Sequence, residues 1–213
     1  MQEEELLAVF DAAGNRTGVK PRADVHRDGD WHELVFVWSA SPGKDGRPCT
    51  LLQIRARAGD PFQGNVDSLA AGHVAAAESH REGARREIRE EAGVEVEPDD
   101  LAYLEMWPLE NPDGNCRRVL QHHYLCRRPI NLSDLAFSEE TSGFVELDAE
   151  LFLELLEGKR AAVAGRGRYA DRPAPVPVRI TADAFSSYAA PIQASFRRAM
   201  QAVLADPVPS KAS

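Results

Sequence analysis

The segment of residues 72–93 constrains the fold most, because it joins a clear helical pattern to an unusual set of charges. Residues 78–92 are predicted to form a helix, and the glycine that follows supplies a C-terminal cap because it adopts the left-handed conformation without a Cβ penalty. At about 100° per residue, Glu87, Glu90 and Glu91 occupy an arc of about 100° on one flank. Small apolar residues fall on the neighbouring flank. The helix can therefore rest on a sheet while it holds three carboxylates beside it.

This carboxylate cluster is costly unless something neutralises it. Like charges at i,i+3 and i,i+4 repel by about 0.2–0.5 kcal/mol per pair on an exposed helix. Glu90 and Glu91 also lie in the last turn, where the helix dipole disfavours anions. A bound Mg²⁺ or Mn²⁺ would reverse both penalties, since hard cations bind clustered carboxylate oxygens. The alternative is a solvated charged face in which the neighbouring arginines serve as ion-pair partners, and the helix alone leaves both interpretations open.

The rest of the chain predicts an α/β protein with a C-terminal extension. Runs of apolar, β-branched and aromatic residues predict strands at residues 5–10, 32–39, 49–57, 101–107, 117–127 and 144–147. Further helices are predicted at residues 149–157, with Asp148 as the N-cap, and near residues 190–205. Residues 158–179 have the composition of an irregular connection. We therefore expect one domain at residues 1–158, against which the connection and last helix of residues 159–213 pack.

Composition narrows the classes of partner. The chain has 213 residues and a net charge of -9, which argues against binding to a nucleic-acid duplex. No stretch reaches the roughly 18 apolar residues that span a bilayer, so no membrane contact is expected. The N-terminus is acidic where a signal peptide would be basic, and the three cysteines are scattered, so we expect a cytoplasmic protein with reduced thiols. A small phosphate-containing substrate remains compatible, because a cation can bridge it to an acidic site. The sequence leaves a homodimer open.

The spacing of the charged segment is specific. Gly72, five residues, Glu78, seven residues and then Arg-Glu-aliphatic-x-Glu-Glu-x-Gly-aliphatic at residues 86–94 resembles the Nudix box at each of its nine defining positions. The resemblance implies a Nudix-type α/β/α sandwich with a mixed β-sheet, to which this chain adds a C-terminal helical extension. It also implies a hydrolase that uses Mg²⁺, or Mn²⁺, to cleave the diphosphate bond of a nucleoside diphosphate or a diphosphate-linked derivative.

The resemblance also implies roles for residues of the box. Glu78 would hold the loop–helix–loop together, and Gly72 would let the backbone approach the metal. Arg86 would orient a carboxylate by a charge-assisted hydrogen bond. The implied metal set is Gly72, Glu87, Glu90 and Glu91. The implied catalytic set is Arg86, Glu90 and Glu91.

The general base and the phosphate-binding residues are less determined. Glu91 is one candidate base, and Glu139 and Glu140 in a loop before a strand are others, although that pair also fits a solvated acidic loop. Among the candidate substrate-binding residues, the arginines at 55 and 57 alternate with apolar residues on a strand, so both point to one face. On a cleft they could fork onto phosphate oxygens, and on a sheet edge they would be solvated. The full set of candidate substrate-binding residues is Arg22, Arg55 and Arg57.

Outside the box, the chain is similar to the isopentenyl-diphosphate-isomerase-like branch of the superfamily. Isomerases place metal-binding histidines at the positions of His26, His32 and His73, and a catalytic cysteine at the position of Ala71. Since alanine has no thiol, hydrolysis is favoured over isomerisation, which stays the alternative. A catalytically silent Nudix domain that only binds a nucleotide or a protein is the second alternative.

Overall fold

The structure, a computed structural model, describes residues 5–43, 46–56, 59, 62–111, 118–188 and 190–206. Within this part, the strands are β1 (Leu6–Phe10), β2 (Arg16–Pro21), β3 (Trp31–Ser39), β4 (Ser41–Pro42), β5 (Pro48–Arg55), β6 (Val66–Asp67), β7 (Ala70–His73), β8 (Leu101–Glu110), β9 (Arg118–Cys126), β10 (Thr141–Asp148), β11 (Ala162–Tyr169) and β12 (Arg172–Thr181). The α-helices are α1 (Arg22–Asp28), α2 (His80–Glu87), α3 (Ala149–Leu156) and α4 (Ala190–Ala205). The sequence Asn111-Pro-Asp-Gly-Asn115 predicts a turn between two strands, and all of it except Asn111 lies outside the described residues.

The strands form two six-stranded sheets. The first has the order β2-β1-β3-β9-β8 with β7 paired to β3, and the second has the order β12-β11-β10-β5-β4 with β6 paired to β5. Strands β3 and β9 run parallel, whereas the other pairs are antiparallel. The predicted mixed α/β fold is therefore confirmed. None of the helices in the described part of the chain is long and apolar enough to cross a membrane.

The central strands bury both faces, which explains their nearly continuous apolar sequences. In β3, Val35 and Val37 pack with Ala84 and Ile88 on the side of α2. Trp38 of the same strand instead belongs to the core formed with α3 and α4. Strands β5 and β10 divide their buried residues between the two cores in the same way. The result is a sandwich with α2 on one side and α3 and α4 on the other.

The prediction of an irregular connection at residues 158–179 is wrong. Strands β11 and β12 form an antiparallel hairpin here, and β12 is the edge strand of the second sheet. Proline is tolerated on an edge strand, where a missing N–H breaks no inner ladder. A Cβ added at Gly165 would lie 2.4 Å from the backbone oxygen of Glu146, so glycine permits the close strand pairing. The prolines and glycines of this segment therefore suit an edge strand and a close strand pairing, although they also resemble the composition of a turn.

Helix α4 confirms the predicted last helix, and it packs on the domain. Phe196 is 1% exposed, and its ring lies 5.1 Å from that of Trp38 in β3. Helix α3 begins after the predicted cap, since the Asp148 side chain accepts a hydrogen bond from the backbone N–H of Leu151. Helix α1 was not predicted, because its seven residues carry only one buried side chain, Val25.

Candidate active site

The helix of the charged segment begins later than predicted and changes form before it ends. Ser79 caps α2 by accepting a hydrogen bond from the Glu82 backbone, and the Glu82 side chain accepts one from the Ser79 backbone in return. From Ile88 to Ala92 the backbone forms a π-helical turn, which Gly93 ends at a φ of 70°. This wider turn carries two of the three predicted metal ligands, and such turns are frequent at functional sites.

Gly72 leaves room for a carboxylate of this helix. A Cβ added at Gly72 would lie 2.0 Å from Oε1 and 2.1 Å from Cδ of Glu87. Gly72 belongs to β7, which pairs with the central strand β3, and Glu87 is only 8% exposed. The glycine is therefore required because the Glu87 side chain occupies the position of a Cβ.

Arg86 connects the carboxylates of the helix to the loop that precedes it. Its Nη1 donates to Oε1 of Glu87 at 2.7 Å and to Oε2 of Glu90 at 3.1 Å. Its Nη2 donates to Glu78 at 2.7 Å and to the backbone oxygen of His73 at 2.8 Å. Glu78 in turn accepts a hydrogen bond from the backbone N–H of Ala75. The arginine thus fixes two carboxylates relative to β7.

Glu91 is held from two sides. Its Oε2 accepts hydrogen bonds from the Ala71 backbone N–H at 2.8 Å and from Nε2 of Gln53 at 2.9 Å. Both bonds reach the same oxygen, so Oε1 can face a cation or a water. Gln53 belongs to β5 and its Oε1 accepts a hydrogen bond from the Thr141 hydroxyl at 2.9 Å. Glu87 contacts β7 at Gly72 and Glu91 contacts it at Ala71, and the two carboxylates lie close enough to repel each other, whereas Glu90 is half exposed.

Burial destabilises the charged forms of these carboxylates. It raises the pKa of Glu87 to about 7 even though the guanidinium of Arg86 favours the ionised form. The pKa of Glu91 is raised to about 8, mainly by burial and secondly by repulsion from Glu87. Buried carboxylate oxygens are a donor set that suits a hard divalent cation. Glu87 and Glu91 therefore suit the metal that the sequence implies, and the more exposed Glu90 is the third candidate ligand.

The candidate substrate arginines do not form one group. Arg55 lies close enough to Glu91 for its charge to lower the pKa of that carboxyl, and its Nη1 donates to Asp67 at 3.0 Å. Asp67 is 4% exposed and also accepts a hydrogen bond from the Tyr188 hydroxyl. Arg22 instead pairs with Glu5 at 3.3 Å, and its charge acts on the histidines described below. Arg57 lies outside the described residues.

The acidic loop contributes one residue to the site. The charge of Glu140 acts on Glu87 and helps to raise the pKa of that carboxyl, so Glu140 lies on the side of the carboxylate cluster. Its backbone oxygen accepts a hydrogen bond from Ala56 at the end of β5, which ties the loop to the site. Glu139 is exposed. Of the two loop glutamates proposed as bases, the structure thus brings Glu140 toward the cluster.

Three histidines converge beside this site. His26, His32 and His73 each offer one ligand nitrogen, and these atoms all lie within 4.8 Å of one another. The Nδ1 of His32 donates to the backbone oxygen of Asp30, so Nε2 carries a lone pair. This nitrogen is buried and has no hydrogen-bond partner within the described part of the chain. Burial lowers the pKa of His32, and burial with the charges of His32 and Arg22 lowers that of His26 to about 4. Neutral histidines of this kind can bind a transition metal.

The sequence comparisons agree with this geometry. The NUDIX domain model matches residues 32–164. The chain belongs to the Nudix family. Nudix hydrolase 3 of Arabidopsis thaliana is 40% identical over 97 residues, which cover 45% of this chain but only 12% of that protein. An uncharacterised Nudix hydrolase of Clostridium acetobutylicum is 28% identical over 168 residues, which cover 78% of this chain and 80% of that protein. Nudix enzymes act on phosphorus-containing anhydrides.

Solved structures support the fold. The Deinococcus radiodurans protein DR0079 matches with a TM-score of 0.52 and 20% identity over 72% of this chain and 90% of that one. A MutT/nudix family protein of Enterococcus faecalis has a TM-score of 0.51 and 17% identity over 81% of this chain and 62% of that one. At these identities the likeness shows the shared fold and leaves the substrate open.

Sequence reasoning missed several residues that support the site. Gln53 is a buried polar residue in an otherwise apolar strand, and that contrast was a usable signal. Asp67 follows a loop whose pattern gave no signal. Thr141 and Tyr188 are far from the box in sequence, and only the sheet pairing and the C-terminal extension bring them near it.

Proposed function

We propose that the chain is a Mg²⁺-dependent Nudix hydrolase that cleaves the diphosphate bond of a nucleoside diphosphate or a nucleoside-diphosphate-linked substrate. Mn²⁺ would substitute for Mg²⁺ because both ions prefer oxygen ligands. The observation that carries the proposal is the pair of buried carboxylates, Glu87 and Glu91, set around Gly72 where no side chain would fit. Arg86 pairs with Glu87, and a bound divalent cation would compensate the negative charge that remains on the pair.

Glu87, Glu90 and Glu91 would hold the metal. When bound, Mg²⁺ neutralises the diphosphate and stabilises the charge that develops on its oxygens. Arg86 keeps Glu87 and Glu90 in place through its two hydrogen bonds from one nitrogen. The residues of the chain thereby orient the site before substrate arrives, which lowers the cost of reaching the transition state.

A carboxylate of the site would take the proton from the attacking water. Glu91 is one candidate, because its carboxylate is buried next to Glu87 in the site. Glu140 is the second candidate, because it lies toward the cluster on a loop tied to β5. Arg55, which neighbours Glu91, would contact a phosphate oxygen of the substrate.

A substrate screen tests this function. Purified protein is incubated with nucleoside diphosphates, nucleoside-diphosphate sugars and other diphosphate esters, with Mg²⁺, with Mn²⁺ or with excess chelator. We expect cation-dependent release of phosphate or of a nucleoside monophosphate, which phosphorus NMR and mass spectrometry would identify. Absence of any cation-dependent cleavage across the panel would contradict the proposal. It would instead favour a silent domain that binds a nucleotide or a protein.

The histidine cluster supports a second candidate, an isomerase of isopentenyl diphosphate. The structure brings His26, His32 and His73 together, which is the arrangement that the isomerase-like resemblance implies. Ala71, two residues before His73 on β7, offers no thiol for proton transfer. We therefore expect no interconversion of isopentenyl and dimethylallyl diphosphate. Interconversion above a control without enzyme would replace the hydrolase proposal with this one.

A further inference from the structure

Two residues outside the Nudix box form a hydrogen-bonded chain that ends on Glu91. The Thr141 hydroxyl donates to Oε1 of Gln53 at 2.9 Å, and Nε2 of Gln53 donates to Oε2 of Glu91 at 2.9 Å. Thr141 and Gln53 are each 1% exposed, so water does not compete for these bonds. The contacts join strands β5 and β10 of the second sheet to the π-helical turn.

The hydrogen bonds from Thr141 through Gln53 to Glu91 all run in one direction, from donor to acceptor. Oε2 of Glu91 already accepts the Ala71 backbone N–H, so it is an acceptor, and the Gln53 amide therefore presents its NH₂ group to this oxygen. The amide oxygen then points to Thr141 and needs a donor there. Ser138 donates to Thr141 at 3.4 Å, which leaves the proton of the Thr141 hydroxyl for Gln53. Thr141 therefore selects the amide orientation that Glu91 requires, and successive donors polarise one another.

This direction determines which oxygen of Glu91 is available. The Ala71 backbone N–H reaches the same Oε2 that Gln53 does, so the two donors fix the carboxylate plane. We propose that Gln53 and Thr141 are positioning residues that hold Oε1 of Glu91 toward the cation. The inference rests on the proposed metal-dependent function. It adds two residues, on β5 and β10, to a site that the box alone does not complete.

The chain offers a close control for this inference. Thr50 is a second buried threonine of the same sheet, it lies on β5, and its hydroxyl has no hydrogen-bond partner among the described residues. Thr141→Val and Thr50→Val make the same chemical change in similar surroundings, but only the first removes a donor from Gln53. Thr141→Ser keeps that donor while it removes a methyl group, so it separates the hydrogen bond from packing.

The experiment measures Mn²⁺ binding without substrate, from the electron paramagnetic resonance signal of the free ion, and then turnover with the substrate of the wild type. In Thr141→Val we expect about tenfold weaker Mn²⁺ binding or more, the scale seen when a partner of a metal ligand is removed. We expect turnover to fall while KM changes little. Thr50→Val should match the wild type, and Thr141→Ser should restore most of the affinity.

The possible results test the positioning role and the proposed function separately. Wild-type Mn²⁺ affinity in Thr141→Val, or an equal loss in Thr50→Val, would overturn the positioning role while leaving the proposed function intact. A wild-type protein that binds no Mn²⁺ would overturn the proposed function and this inference with it. Thermal melting checks that each variant is folded. If Thr141→Val does not fold, Gln53→Met, which preserves volume and removes the donor to Glu91, takes its place with the same expected loss.

Discussion

The tightest contact of the site gives the most direct test, Gly72→Ala. The added Cβ would lie 2.0 Å from Oε1, 2.1 Å from Cδ and 2.5 Å from Oε2 of Glu87, whereas real Cβ atoms essentially never approach closer than 3.0 Å. The carboxylate must therefore move by about 1 Å or more. It cannot do so freely, because Arg86 holds Oε1 at 2.7 Å and the side chain is 8% exposed.

Two opposing effects set the change in stability. Replacing glycine by alanine at a tolerant backbone position reduces the entropy of the unfolded chain and stabilises by about 0.4–1 kcal/mol. Overpacking a filled site costs about 1–3 kcal/mol. We expect a net loss of about 1–2 kcal/mol, which lowers the melting temperature by roughly 2–8 °C in a chain of this size. Turnover should fall by about a hundredfold, because a shift of about 1 Å in a catalytic group has that effect.

Gly18→Ala is the matched control. Gly18 also lies in a strand of the first sheet, and its added Cβ would make only an ordinary contact, 3.6 Å from Val9. The assay measures melting temperature without metal and turnover at limiting Mg²⁺ for both variants. Gly18→Ala should retain wild-type turnover. Wild-type turnover in Gly72→Ala, or an equal loss in Gly18→Ala, would refute the argument that Gly72 makes room for Glu87.

Three further predictions concern Mg²⁺ binding, the dependence of stability on pH and the packing of helix α4. At matched ionic strength, Mg²⁺ at a hundredfold excess over Kd should raise the free energy of unfolding by about 2.7 kcal/mol. An equal rise in a Glu87→Gln, Glu91→Gln double variant would mean that the ion binds elsewhere. Burial holds the pKa of His123 well below 6.5, so its stabilising effect is present above pH 6.5 and is lost as pH falls, when the unfolded state takes up the proton. Between pH 7.5 and 5 this loss should be at most about 2 kcal/mol by urea unfolding, and His123→Phe should make the dependence of stability on pH shallower; an unchanged pH slope would contradict the assignment. Phe196→Ala should destabilise by about 3–5 kcal/mol in chemical unfolding, and a loss below about 1 kcal/mol would mean that α4 does not pack on the domain.

The local elements of the fold were predictable because their signals are local. Alternation and β-branched residues predicted the central strands, and Asp148 and Gly93 marked helix ends that the structure confirms. The hairpin of β11 and β12 was missed for a physical reason. An edge strand tolerates proline and a close pair needs glycine, and these are the same residues that mark irregular segments. Composition alone therefore cannot separate the two cases.

In the candidate site, too, contacts within one element were predictable and contacts between elements were not. The spacing of the box predicted the residues that share one helix, since helical geometry fixes their relative positions. It predicted the neighbourhood of Gly72 and Glu87 only through the family resemblance, because that contact joins a helix to a strand.

The partners of Glu91 could not be predicted at all from spacing. Gln53 lies 38 residues before Glu91, and Thr141 lies 88 residues after Gln53. Their contact depends on the register of β10 against β5, in which Thr141 pairs with Arg55 and an irregularity follows before Gly143. A slip of one residue would turn Thr141 to the opposite face of the sheet and leave the Gln53 amide without its donor. The orientation of a carboxylate on the helix is thus determined by a strand register that the sequence of the helix does not contain.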